Sequence, residues 1–169
     1  MQFRHRRSLR SSGSRSWCKP MYQDTITLFN RKQGERGQGD TWYPTIIKGV
    51  NLMVDRVAIL AKYGPESKDN ASLHIRYQTK NGAITIASDS DTEKPWMPPK
   101  EWDKTEDAIT FSTEGDFFCK GEWPGGIVSD ADYGPDGFYS YMNQTRDYVF
   151  AVSSVARYSV IAHFEIMGK

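Results

Sequence analysis

The sequence is short of several things that would place it quickly. It has only two cysteines, Cys18 and Cys119, in 169 residues, too few for a disulfide framework in a chain this long. Its longest purely apolar run is five residues, Val57–Ala61, so no segment reads as a membrane-spanning helix. The basic N-terminus is not followed by an apolar stretch of the secretory type. Leucine is scarce, five residues against 19 of Ile and Val together, which argues against a helical core. Net charge is nearly absent as well: 22 Lys and Arg against 21 Asp and Glu give +1. Residues 1–20 hold six of the basic residues and no acid, so residues 21–169 carry 16 basic against 21 acidic. A mildly acidic body argues against a domain that binds DNA or RNA.

What is present points to β structure. Tyr, Phe and Trp number 22, and with Ile and Val they suit a pleated, half-buried surface. Aromatic load and low net charge also exclude a disordered chain. Residues 1–20 are Arg/Ser-rich and aperiodic, and read as a disordered basic extension outside the fold, either an upstream addition or an arm that touches nucleic acid. The fold starts at Met21 and forms one domain over 21–169.

Along that domain, Ile26 and Leu28 alternate with Thr25 and Thr27, and a Gly-rich loop at 33–40 leads to a strand at 41–52. Pro44 puts that strand at an edge or on a bulge. Residues 54–61 fit helix or strand, and strand is preferred. Leu73, Ile75 and Tyr77 share one face, and Asn81-Gly82 turns the chain toward Ile84 and Ile86. Residues 88–107, with Pro95, Pro98 and Pro99 around Trp96 and Trp102, read as an extended excursion. Ile109 and Phe111 restart the alternation, Glu114-Gly115 turns it, and Phe117 and Cys119 continue it. A second long loop fills 123–137, and Phe138, Tyr141 and Met142 predict a short helix capped by Asp136. The last hairpin pairs 148–155 with 160–166, Val160, Ala162, Phe164 and Ile166 sharing one face. About eight strands, one short helix and no βαβ period predict a small antiparallel β-barrel or sandwich with long loops.

Reactive chemistry finds little support. His163 and Glu165 share a strand face without a nucleophile nearby, and read as a solvated or interface pair. The three histidines are scattered, and the two cysteines lack zinc spacing. Asp130, Asp132, Asp136 and Gly137 fail the calcium-loop register in either frame and read as an Asx-rich turn. The glycines at 34, 37 and 39 lie in a hairpin loop, not in a phosphate-binding turn. Cys119 reads as a buried structural thiol. The expectation is therefore no enzyme, no catalytic residue, no metal and no cofactor.

The aromatic residues in or beside loops remain. Trp42, Tyr43, Trp96, Trp102, Trp123, Tyr133 and Tyr139, with Lys94, are the candidate interaction residues, some of the rings plugging barrel ends and others anchoring protein contacts. The alternative is a carbohydrate- or ligand-binding β-sandwich that uses the loop Trp and Tyr residues as stacking platforms.

Three segments carry a resemblance: Gly115-Asp116-Phe117-Phe118-Cys119-Lys120-Gly121-Glu122, the strand Val149–Val155, and the ending Ala162-His163-Phe164-Glu165-Ile166-Met167-Gly168-Lys169. With the opening Asp24–Arg31 and Thr41-Trp42-Tyr43-Pro44, they resemble the head-completion or stopper proteins of tailed-phage necks, and most closely a family of small prophage minor structural proteins. The resemblance implies a virion protein at the head–tail interface, in the host cytoplasm during assembly. It would form a six- or twelve-fold homo-oligomeric ring between the portal or adaptor and the tail proteins. Packaged DNA would pass through that ring without sequence-specific binding, and no membrane would be involved. The excursion 88–107 and the loop 123–137 depart from the shortest stoppers, and residues 1–20 have no counterpart. The loop Lys94–Trp102 is expected to contact a neighbouring subunit, and its removal to leave a folded monomer.

Overall fold

The computed structural model describes residues 21–54, 70–88 and 92–169. The basic extension 1–20 and most of the ambiguous stretch 54–61 lie outside the described residues. Among the described residues the chain is mainly β: a closed six-stranded antiparallel barrel with additional strands and one α-helix. In chain order the strands are β1 (Asp24–Lys32), β2 (Thr41–Met53), β3 (Ala71–Arg76), β4 (Gln78–Lys80), β5 (Ala83–Ala87), β6 (Glu93–Pro95), β7 (Phe117–Lys120), β8 (Val128–Ser129), β9 (Val149–Tyr158) and β10 (His163–Gly168). The helix α1 spans Gly137–Thr145.

Closure follows from β2. It pairs with β1 from Thr41 to Val50 and with β3 from Asn51 to Met53. The ladder slips by one residue at Gly49, whose φ of +69° makes the bulge that swings the strand from one partner to the other. Pro44 lies opposite Phe29, at a stretch of β2 that only β1 pairs with, so its missing N–H leaves no ladder bond unmade. The order β1-β7-β9-β10-β3-β2 then returns to β1, and β8 joins the outer end of β2. Asn81 and Gly82, both at positive φ, turn β4 into β5, and β6 completes a separate three-stranded sheet.

Two clusters of apolar side chains hold the strands. Inside the barrel, Ile26, Leu28, Leu73, Ile75, Phe118 and Phe164 meet. Outside it, Phe29 and Phe117 stack with centroids 4.6 Å apart beneath Phe138 and Met142 of α1. β1 is therefore buried on both faces.

Three local expectations change. Ile109 and Phe111 are buried but do not form a strand. Ile109 makes a single parallel bridge to Trp96, and the Asn30 side chain takes the backbone carbonyl of Thr110 at 2.8 Å in place of a ladder partner. The cap of α1 comes from Asp130, whose Oδ1 accepts from the Phe138 amide at 2.9 Å, while Asp136 makes no side-chain cap bond. Val160 does not face the core, because the turn between β9 and β10 occupies residues 159–162.

Candidate functional site

The eight candidate interaction residues fall into two groups. Trp42, Trp123, Tyr133 and Tyr139 surround α1. Trp42 is 4% exposed and its Nε1–H donates to Asp130 Oδ1 at 2.6 Å. Trp123 and Tyr133 pack on Phe138 at 5.2 and 4.8 Å, and Tyr139 on Phe117 at 5.0 Å. Tyr43, Lys94, Trp96 and Trp102 sit with the excursion at one barrel end. Trp102 is 6% exposed, donates from Nε1 to the Ala108 carbonyl at 3.0 Å, and meets the Tyr43 ring edge-on. Trp96 lies 5.0 Å from Phe164, and Phe111 meets the same ring. Lys94 Nζ donates to the Glu106 carbonyl and to Thr45 Oγ1. Burial lowers its pKa, while the carboxylates of Glu106 and Asp107 oppose the shift.

The excursion is thus a plug. Residues 96–111 close the barrel mouth with Trp96, Ile109 and Phe111, and Trp102 is buried in the same segment, held by the Ala108 carbonyl and the Tyr43 ring. Removing Lys94–Trp102 would strip these contacts, so the expectation of a folded, merely unassembled monomer gives way to loss of stability. The four indoles of Trp42, Trp96, Trp102 and Trp123 do not line up on one solvent face. Two are buried, and the other two are half-buried in different clusters.

The His163–Glu165 pair, read as solvated or interfacial, is not a freely solvated one, because Glu165 is covered. Glu165 is 8% exposed and accepts from Tyr158 Oη at 3.1 Å. Tyr158 stacks on His163 at 4.9 Å, and His74 lies 5.4 Å from the same ring. The His163 Nδ1–H donates to the Ile161 carbonyl at 2.7 Å, which fixes that tautomer. Strand pairing explains the grouping, since His163 lies beside Tyr158 and Arg76, and Glu165 beside His74. Asp130 of the acidic run is spent on Trp42, Phe138 and the Asp40 amide. Cys119 is buried, and burial pushes its thiol pKa up.

A polar knot sits where β7 begins. Asp116 is 1% exposed, and its carboxylate accepts from Asn30 Nδ2 and from the amides of Arg31 and Ser112, each at 2.8 Å. Burial nevertheless raises its pKa from 3.8 to about 6, against the pull of those donors and of the Arg31 guanidinium. Beside the knot, at the barrel mouth, lies a cleft of about 430 Å³ lined by Arg31, Lys100, Lys104, Trp102 and Val155, among others.

The feature that sequence reasoning missed is the tip of the β9–β10 hairpin. Val160 is 99% exposed and Ile161 70%. Val160 had the parity of the strand's inward face and Ile161 the chemistry of a strand residue, and no Gly or Pro marked the turn. The sole signal was the serine at 159.

Fold and surface together define a closed antiparallel β-barrel protein, plugged by its own loop and carrying an exposed apolar hairpin tip. The chain belongs to DUF6751, a family of unknown function, which matches residues 21–169. No curated protein and no solved structure matches it.

Proposed function

We propose that the chain is a structural component of a tailed-phage neck, acting in the virion at the head–tail interface. Copies form a ring that joins the portal or adaptor to the tail and helps retain packaged DNA. No reaction and no cofactor are assigned to it. The observation that carries the reading is the hairpin tip: two adjacent β-branched residues, Val160 and Ile161, stand in solvent at 99% and 70% exposure, and of the other large apolar side chains described only Met21 is comparably exposed. Burying each against a neighbour is worth about 1.5–3 kcal/mol. A ring built from one chain needs two different complementary patches on each subunit, and a projecting apolar knob supplies one of them. The resemblance of the three C-terminal segments to head-completion proteins supports the same role. The acidic balance of residues 21–169 suits a conduit, because it offers DNA phosphates little counterion release.

The test is the mass of the assembly. The full chain, alone and mixed with portal or adaptor rings from the same genome, is measured by native mass spectrometry beside the variant V160E/I161E. The wild type is expected as a ring and the variant as a monomer with an unchanged circular dichroism spectrum. A wild type that stays monomeric in both settings, or a ring indifferent to two glutamates, refutes the reading.

A further inference from the structure

β9 outruns the strand beside it. β7 pairs with it only from Val149 to Ala151, while β10 accompanies it on the other side to Tyr158. Among the described residues no strand covers the β7-side edge from Val155 to Tyr158, and Ala156, Arg157 and Tyr158 are exposed. An edge of this kind holds backbone N–H and C=O groups ready for another chain. The opposite wall is closed differently. Where β1 outruns β7, the Asp116 carboxylate takes the Arg31 and Ser112 amides, so a side chain stands in for the missing strand. Between the sealed wall and the open edge lies the 430 Å³ cleft, with Val155 facing into it.

The charges around this slot have one dominant sign. Arg31 is held by Asp40. Lys100 and Lys104 line the cleft and, with Arg157, form no ion pair among the described residues. Arg157 is two residues from Val155 and so shares its face of the strand. Glu114 is the acid that faces them at the rim, since Asp116 is buried in its own hydrogen bonds. A second copy meeting this edge across a two-fold axis would set Arg157 near its own equivalent, and like charges side by side disfavour that pairing.

We infer that the Val155–Tyr158 edge and its cleft form a strand-addition site for an extended, acidic segment of a partner polypeptide. Backbone bonds along β9 supply the pairing, the Val155 face takes an apolar side chain, and Lys100, Lys104 and Arg157 take carboxylates. The inference is independent of the neck reading and concerns a surface distinct from the Val160–Ile161 tip.

The test titrates the full chain with the blocked hexapeptide acetyl-Glu-Thr-Val-Thr-Glu-Thr-amide, which presents Glu, Val and Glu on one face, and follows hydrogen exchange of the amides from Val155 to Tyr158. At saturation, outward-facing amides in this stretch are expected to exchange about tenfold more slowly, and the protection to weaken in about 0.5 M salt. The matching lysine peptide should give none. K100E/K104E should lose the effect, and V155P, which removes an outward-facing backbone donor without altering charge, should lose it too, both with a wild-type circular dichroism spectrum. Absence of protection at about 1 mM peptide, equal protection by the lysine peptide, or protection that grows with protein concentration alone would each overturn the inference, the last in favour of self-pairing.

Discussion

Asp116→Asn isolates the energetic consequence of burying a carboxylate at the start of β7. Asp116 has an ordinary value of 3.8 and rises to about 6 in the fold, so the folded chain holds this proton more tightly than the unfolded chain does. Below about pH 4 both states carry the proton and the site adds no pH dependence. As the pH climbs toward 6 the unfolded chain releases its proton first, and stability falls through that window before levelling off. At about 1.36 kcal/mol per pH unit, the full drop is about 3 kcal/mol. Asparagine has the same shape and cannot ionise, so it mimics the protonated side chain. It loses one acceptor among the three donors of Asn30, Arg31 and Ser112, a penalty that does not vary with pH. Urea unfolding of wild type and variant at pH 4, 5, 6 and 7 separates the two effects. The variant should gain on the wild type by about 2 kcal/mol or more between pH 4 and pH 7. A stability difference that stays constant over that range refutes the reasoning.

Two further changes test the framework that holds the site. Asp130→Ala removes the acceptor of the Phe138 amide and leaves the buried Trp42 indole N–H without its partner; a loss of about 2–4 kcal/mol is expected from chemical denaturation, from the lost cap and the orphaned donor together. Trp102→Ala opens a hole over the barrel plug and frees the Ala108 carbonyl; it should cost about 3–5 kcal/mol by the same measurement, and a cost below about 1 kcal/mol would show that Trp102 is a surface ring after all.

How much of this was legible depends on the range of the interaction. The β1–β2 hairpin, the Asn81-Gly82 turn and the helix at Phe138–Met142 rest on neighbours in sequence, and alternation or spacing revealed them. Barrel closure was open between barrel and sandwich, because it hangs on the Gly49 bulge and on β10 pairing with β3 across 87 or more residues of chain. The cap of α1 comes from six residues before Asp136, which local capping rules do not reach. The loop Trp and Tyr residues could be read either as plugs of the barrel ends or as anchors, because nothing local tells the two apart; a loop that folds back over a barrel mouth buries its rings as a core would, as Trp102 shows. Val160 and Ile161 misled in the opposite direction. Alternation cannot tell a strand from the turn that interrupts it when the turn is built of β-branched residues.

The open edge of β9 and the raised acid of Asp116 have one cause, the shortness of β7. A strand a few residues longer at its N-terminal end would satisfy the Arg31 amide with a backbone carbonyl and would cover β9 toward its tip. The fold instead turns away at Thr113–Gly115 and seals the β1 side with a carboxylate whose burial costs about 3 kcal/mol above pH 6. Among the described residues the β9 side is left unsealed, and Lys100, Lys104 and Arg157 beside it form no ion pair. Departures from the most stable local solution concentrate where a protein binds or reacts, and here they converge on a single slot at the barrel mouth. Extending β7 should therefore stabilise the monomer while abolishing strand addition at β9.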